Sequence, residues 1–216
     1  MGHSKLAERF GLLLFANAAG LGLWLLATAV IVRLLPVETY GTYRQLLLLY
    51  DSLYIFFVLG MNTGVAYFTP RLEEKYWLGF LALITAVLTG SGLIMGLGLY
   101  LGRSFISAAF SNPSLEFGLR WFWLYPVFTI PVSVIGGSYL VSTGKVRAAA
   151  FGVLLVTVTQ ILAVLLPAVF RLDIGALAGA LVGVSVVQFL VLLGLAVHLH
   201  RRNGFQWPSG MVKSLG

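Results

Sequence analysis

Cysteine is absent from the chain and charge is scarce. Asp and Glu together number seven, and charged residues of both signs make up 10% of the 216. The first absence excludes a disulfide framework and thiolate metal sites. The second excludes a water-soluble globule, whose surface needs about 25% charged residues. Also missing is the apolar–polar alternation, over roughly ten residues, that a membrane β-barrel requires. No run of basic residues with interleaved aromatics marks a nucleic-acid surface. What the chain has instead is grease: 59% of residues are hydrophobic and the mean hydropathy is +0.96. Its apolar runs are continuous and about twenty residues long, the length of a helix that crosses a bilayer. The net charge of +7 is carried by basic residues at the ends of those runs, where they orient a membrane protein and meet anionic headgroups.

Six such runs give an all-α integral membrane fold with spans expected at 10–35, 43–68, 76–101, 117–141, 146–170 and 174–199. The opening MGHSKLAERF does not read as a signal peptide, because the run after it outlasts a signal h-region. The first span is therefore expected to stay, and its Asn17 to make an interhelical hydrogen bond or a ligand contact. Gly92, Gly96, Gly98 and Gly102 in the third span, and Gly175, Gly179 and Gly183 in the sixth, recur at four-residue spacings that suit close helix packing. Residues 102–116 read as a longer loop with a turn or helix start at Ser111-Asn112-Pro113-Ser114. The fourth span opens on Arg120, Trp121, Trp123 and Tyr125, an expected aromatic belt, and Pro126 and Pro131 interrupt it. Gln160 and Gln188 read as interhelical hydrogen bonds, and His198 and His200 as headgroup contacts.

The organising stretch runs from Arg33 to Arg71. Pro36 ends the first helix, and Glu38, Thr39 and Gly41 read as a short polar turn. The second span then carries Arg44, Gln45, Asp51 and Asn62. Arg44 and Asp51 are seven residues apart and so share a helical face. An ionised group in hydrocarbon costs on the order of 3 kcal/mol or more and usually faces a wet cavity. For Arg33 and Arg44 the competing reading is helix-end snorkelling.

Counting Lys and Arg by alternate loops puts nine on one side (5, 9, 71, 75, 145, 147, 201, 202 and 213) and five on the other (33, 44, 103, 120 and 171). Both termini are therefore expected in the cytoplasm. Residues 1–200 form the six-helix unit. Residues 201–216, with Trp207-Pro208-Ser209, read as a basic cytoplasmic tail or as a linker to a further lobe, so the chain is expected to be half of a transporter.

The pattern Arg33-Leu34-Leu35-Pro36, Glu38, Tyr40-Gly41, then Leu59-Gly60-Met61-Asn62 and Tyr67-Phe68 resembles the first two helices of polysaccharide exporters. These are the O-antigen-type lipid-linked oligosaccharide flippases of the multidrug/oligosaccharidyl-lipid/polysaccharide exporter superfamily. The resemblance implies one lobe of a two-lobe, alternating-access transporter in the cytoplasmic membrane. Its partners would be a polyprenyl-pyrophosphate-linked oligosaccharide, membrane lipids, and a second six-helix lobe or second copy, with no nucleic acid. Arg33, Arg44 and Arg120 would meet pyrophosphate, and Asn17, Gln45 and Asn62 the sugar hydroxyls. Asp51 would balance an arginine or bind a coupling proton or sodium ion; no resident cofactor or metal is implied. A drug or metabolite antiporter of the same superfamily, and a membrane enzyme of glycolipid assembly, are the alternatives. The enzyme would need clustered carboxylates, whereas only Glu73 and Glu74 are adjacent.

Overall fold

A computed structural model describes residues 3–201, with side chains from Gly11 onward. The tail at 202–216, Lys5 and Arg9 lie outside the residues whose side chains are described. No strand occurs among the described residues. The helices are α1 (His3–Leu34), α2 (Val37–Phe57), α3 (Met61–Phe68), α4 (Trp77–Leu101), α5 (Arg103–Ala109), α6 (Pro113–Phe122), α7 (Tyr125–Val134), α8 (Leu140–Ser142), α9 (Val146–Val169) and α10 (Ile174–His200). A π-helical turn, Ile135–Tyr139, joins α7 to α8. Five stretches among the described residues are long and apolar enough to cross a membrane, and the bent pair of α2 with α3 makes a sixth when counted as one span. The chain is thus a multi-pass, all-helical membrane protein.

Two of the spans are broken: the fourth, where an interruption is expected, and the second, which is expected to be continuous. Between α2 and α3, Leu59 and Gly60 adopt left-handed backbone with φ of 54° and 64°, and the axis turns by 46°. The carbonyl of Phe57 that this break frees accepts a bond from the Ser91 hydroxyl of α4, as a backbone group in lipid must. The fourth span is broken twice. Its interruption falls at Trp123–Leu124, ahead of Pro126, which sits in the first turn of α7 where a missing N–H costs nothing. Pro131 lies within α7, and the chain widens into the π turn four residues later.

The loops also differ from expectation. Glu38, Thr39 and Gly41 belong to α2, not to a turn. Pro36, with its φ of −55°, serves as the N-cap, and Glu38 suits the positive end of the helix. The expected loop at 102–116 is largely helix, α5 followed by α6. Asn112 caps α6, its side-chain oxygen accepting from the Ser114 N–H at 3.1 Å. Its amide donates to Thr42 Oγ1 at 2.9 Å and Gln45 Oε1 at 2.6 Å, tying α6 to the start of α2.

α1 lies against α9, α4 against α7, and α10 against α6, α7 and α9. The glycines of α4 act as expected in part. A Cβ on Gly92 would sit 2.5 Å from the Pro126 carbonyl oxygen, and one on Gly96 would overlap the carbonyl of Trp123. Gly98 faces open space. In α10, Gly175 is pressed against Phe117, but Gly179 and Gly183 have nothing within 4 Å of an added Cβ. Those two floor a groove instead of a contact. His200 is not a headgroup contact: its ring is buried between Trp77 and Tyr139, at 5.2 and 5.6 Å, and its Nδ1 lies 2.8 Å from the Ala196 carbonyl.

These contacts define two ends. The start of α2, α5, α6 and the start of α10 meet at one, with Gly118 against Leu46 and Ile174. The start of α4, α8 and the end of α10 meet at the other. Arg33, Arg103, Arg120 and Arg171 stand at the first end; Arg71, Lys75, Lys145 and Arg147 stand at the second.

Candidate functional site

A groove of about 440 Å³ runs along α2 between α1, α7, the π turn, α9 and α10. α2 presents to it a repeated pair, Tyr43-Arg44 and Tyr50-Asp51. Seven residues correspond to about 10 Å along a helix axis. The repeat therefore lays two phenols and two opposite charges down one wall. Arg44 and Asp51 are both exposed to the groove, and no ion pair links them among the described residues. The arrangement leaves a guanidinium free to bind an anion and a carboxylate free to bind a cation or proton, some 10 Å away.

The floor carries uncharged polar groups. Gln160 of α9 donates to the Tyr125 hydroxyl at 2.9 Å. The Tyr50 ring meets the Tyr125 ring edge-on at 5.0 Å, and Tyr125 stacks on Phe122 at 4.7 Å. Tyr125 is therefore buried, and is not part of an aromatic belt. Gln188 of α10 donates to Thr159 Oγ1 at 2.8 Å and to the Val156 carbonyl at 3.3 Å. Its side-chain oxygen is buried without a partner on the lining of the groove. Both glutamines bridge helices, as their isolation in apolar spans implies, and both also serve the groove. A smaller cleft of about 210 Å³ continues it past Trp24, Thr157 and Gln160 to Asn17. Asn17 donates to the Leu13 carbonyl of its own helix at 2.8 Å, not across to a neighbour.

Of the seven candidates from the sequence, the structure brings together Arg44, Asp51 and, at the rim, Asn17. The other four lie elsewhere. Gln45 is held by Asn112 at the end of the bundle. Asn62 ties the broken helices: Ser138 Oγ donates to its Oδ1 at 3.0 Å, and its amide reaches Tyr54 OH at 3.5 Å, which in turn meets Ser133 Oγ at 2.8 Å. Arg33 stands exposed in the last turn of α1. Arg120 is on a different face, beside α4 and α10. Sequence reasoning missed Tyr43, Tyr50, Tyr125, Thr129 and Ser133. One signal was available, since Tyr43 and Tyr50 share the spacing of Arg44 and Asp51.

Comparison with known proteins finds no match: no family model, no curated protein and no solved structure resembles the chain closely enough to place it.

Proposed function

We propose that the chain is one lobe of a membrane transporter whose polar path is the groove along α2. The observation that carries this reading is the placement of Arg44 and Asp51, opposite charges on a membrane-spanning helix, at a groove floored by amides and hydroxyls. A scaffold has no use for a charge that costs on the order of 3 kcal/mol to hold in a bilayer. A transporter does: charge-assisted bonds from Arg44 replace the water that a phosphate loses on entering a low-dielectric slab. The sequence pattern around Arg33 to Phe68 favours a polyprenyl-pyrophosphate-linked oligosaccharide as cargo, moved for surface polysaccharide synthesis. Arg44 meets the pyrophosphate, Gln160, Gln188 and the tyrosines meet sugar hydroxyls, and Asp51 takes a coupling proton or sodium ion. A second six-helix lobe or a second copy completes the path, and both termini face the cytoplasm.

The test is complementation in the source cell. Deletion of the gene removes surface polysaccharide, the wild-type gene restores it, and Arg44→Ala or Asp51→Ala reaches the membrane but restores less than about a tenth. Full glycan display in both variants would sink the assignment. A second reading, the half of a drug or metabolite antiporter, is favoured by the aromatic wall of Trp24, Tyr43 and Tyr50 beside Asp51, which suits a lipophilic cation. In that case Asp51→Ala abolishes dye efflux from loaded cells while polysaccharide is untouched.

A further inference from the structure

On the face away from the transport groove, two hollows meet at Tyr100 and Arg120. One, about 670 Å³, is apolar and runs into the bilayer zone between α4 and α10, floored by Gly179 and Gly183 and edged by Leu97, Trp121 and Trp123. The other, about 490 Å³, is polar and lies at the end of the bundle beside Arg103 and Glu116. We propose that together they hold one anionic phospholipid, with its phosphate on Arg120 and an acyl chain over the two glycines. This inference does not depend on the transport reading.

Three observations carry it. First, the shape is amphipathic in the order a lipid needs: polar at the end of the helices, apolar deeper in, with tryptophans at the junction, where membrane proteins place them. Second, the glycine floor is open. A Cβ at either position would meet nothing within 4 Å, so these glycines leave space that no protein group fills. Third, the charges are complementary to an anion. Glu116 is already engaged, accepting from Ser104 Oγ at 2.7 Å and lying 3.7 Å from Arg103 Nε. Arg103 also donates to the Tyr100 carbonyl at 2.8 Å. The Arg120 guanidinium has no hydrogen-bond or ion-pair partner among the described residues, and the cleft keeps one net positive charge. A planar guanidinium with free donors binds a phosphate diester through paired hydrogen bonds.

The test is native mass spectrometry of the purified chain in mild detergent, with phosphatidylglycerol or phosphatidylcholine titrated in. The wild type is expected to hold one phosphatidylglycerol and to prefer it over phosphatidylcholine by about tenfold, the worth of a charge-assisted contact. Arg120→Gln removes the preference and leaves weak binding of both. Gly183→Leu, whose new side chain enters the open groove, lowers retention of both lipids. Arg171→Gln, which lines neither hollow, keeps the wild-type preference. Equal retention of the two lipids by the wild type, or an undiminished preference in Arg120→Gln, overturns the proposal. So does a second copy of the chain, rather than lipid, that Gly183→Leu releases.

Discussion

The unbroken spans α1, α4, α9 and α10 and the broken spans, α2 with α3 and α6 through α8, treat polar side chains differently. On the unbroken spans hydroxyls and amides mostly turn back on their own helix: Asn17 to the Leu13 carbonyl, Thr28 to Trp24, Thr157 to Val153 and Ser185 to Val182. On the broken spans Thr42, Thr129 and Thr143 also turn back, but others reach across, as in Tyr54 to Ser133, Ser138 to Asn62, and Tyr139 to the Trp77 carbonyl. On the unbroken spans Gln160, Gln188 and Ser91 are the exceptions: the two glutamines face the groove, and Ser91 meets the carbonyl of Phe57 at the break in the second span. The charges divide the same way. Within α4 there is none, and in α9 the one charge is Arg147, in the first turn, whereas Arg44 and Asp51 lie well inside α2. A helix that satisfies itself can face lipid at any rotation. One that is interrupted must be completed by its neighbours, so its orientation is fixed and a polar face can be aimed.

The sharpest way to break this contrast is where an unbroken span seats a broken one. The carbonyl of Trp123, at the start of the second break, occupies the space where a Gly96 side chain would be. Gly96→Leu must push the α6–α7 junction off α4, an overpacking penalty of about 3 kcal/mol or more. It is expected to yield little folded protein and an unfolding midpoint in detergent far below the wild type. Gly98→Leu, two residues on, points into open space and is expected to change the midpoint little or raise it. Equal effects from the two would mean that the junction is not seated on α4.

A smaller loss is expected at the cap of α6. Asn112→Ala removes one cap bond and two bonds to α2. A lost cap costs about 1 kcal/mol and the two side-chain bonds about as much again, so a destabilisation of about 2 kcal/mol is expected in a denaturant titration. Gln45→Ala removes one of those bonds and leaves the cap, and should cost about a quarter as much. Gln45 then reads as a structural partner of the bundle end.

That the chain is a series of long apolar helices was legible in the sequence, because lipid imposes a length and a composition on each. The break in the second span was not, and that in the fourth was misplaced. Leu59 carries no sign that its backbone is left-handed, and Pro126 pointed to an interruption three residues downstream of its true place because proline starts a helix as readily as it stops one. For the groove, helical spacing placed Arg44 and Asp51 on one face, since that inference needs only the geometry of α2 itself. Tyr125, Gln160 and Gln188 come from three other helices, and the rotation of each is set by contacts that no local pattern encodes. Asn62 and Gln45 illustrate the converse. A polar residue in an apolar span signals that a partner exists, but not whether that partner is a ligand or a neighbouring helix.

The smallest effect separates the two kinds of span most cleanly, because it predicts a sign. Leu59 holds φ at 54° with its side chain 60% exposed, so little packing is lost on removing it. A left-handed non-glycine residue costs about 1–2 kcal/mol, and glycine returns about 0.5–1 kcal/mol of that as extra freedom in the unfolded chain. Leu59→Gly is therefore expected to stabilise by about 0.5 kcal/mol. Gly60→Ala, at φ 64° with nothing near its Cβ, should destabilise by about 1 kcal/mol on conformation alone. In a continuous helix both signs reverse: glycine at 59 would weaken the span, and alanine at 60 would strengthen it by about 1 kcal/mol. Thermal unfolding of the two variants side by side thus reads whether the second span is bent in the folded protein, and with it whether the wall that carries Arg44 and Asp51 has the fixed orientation on which the groove depends.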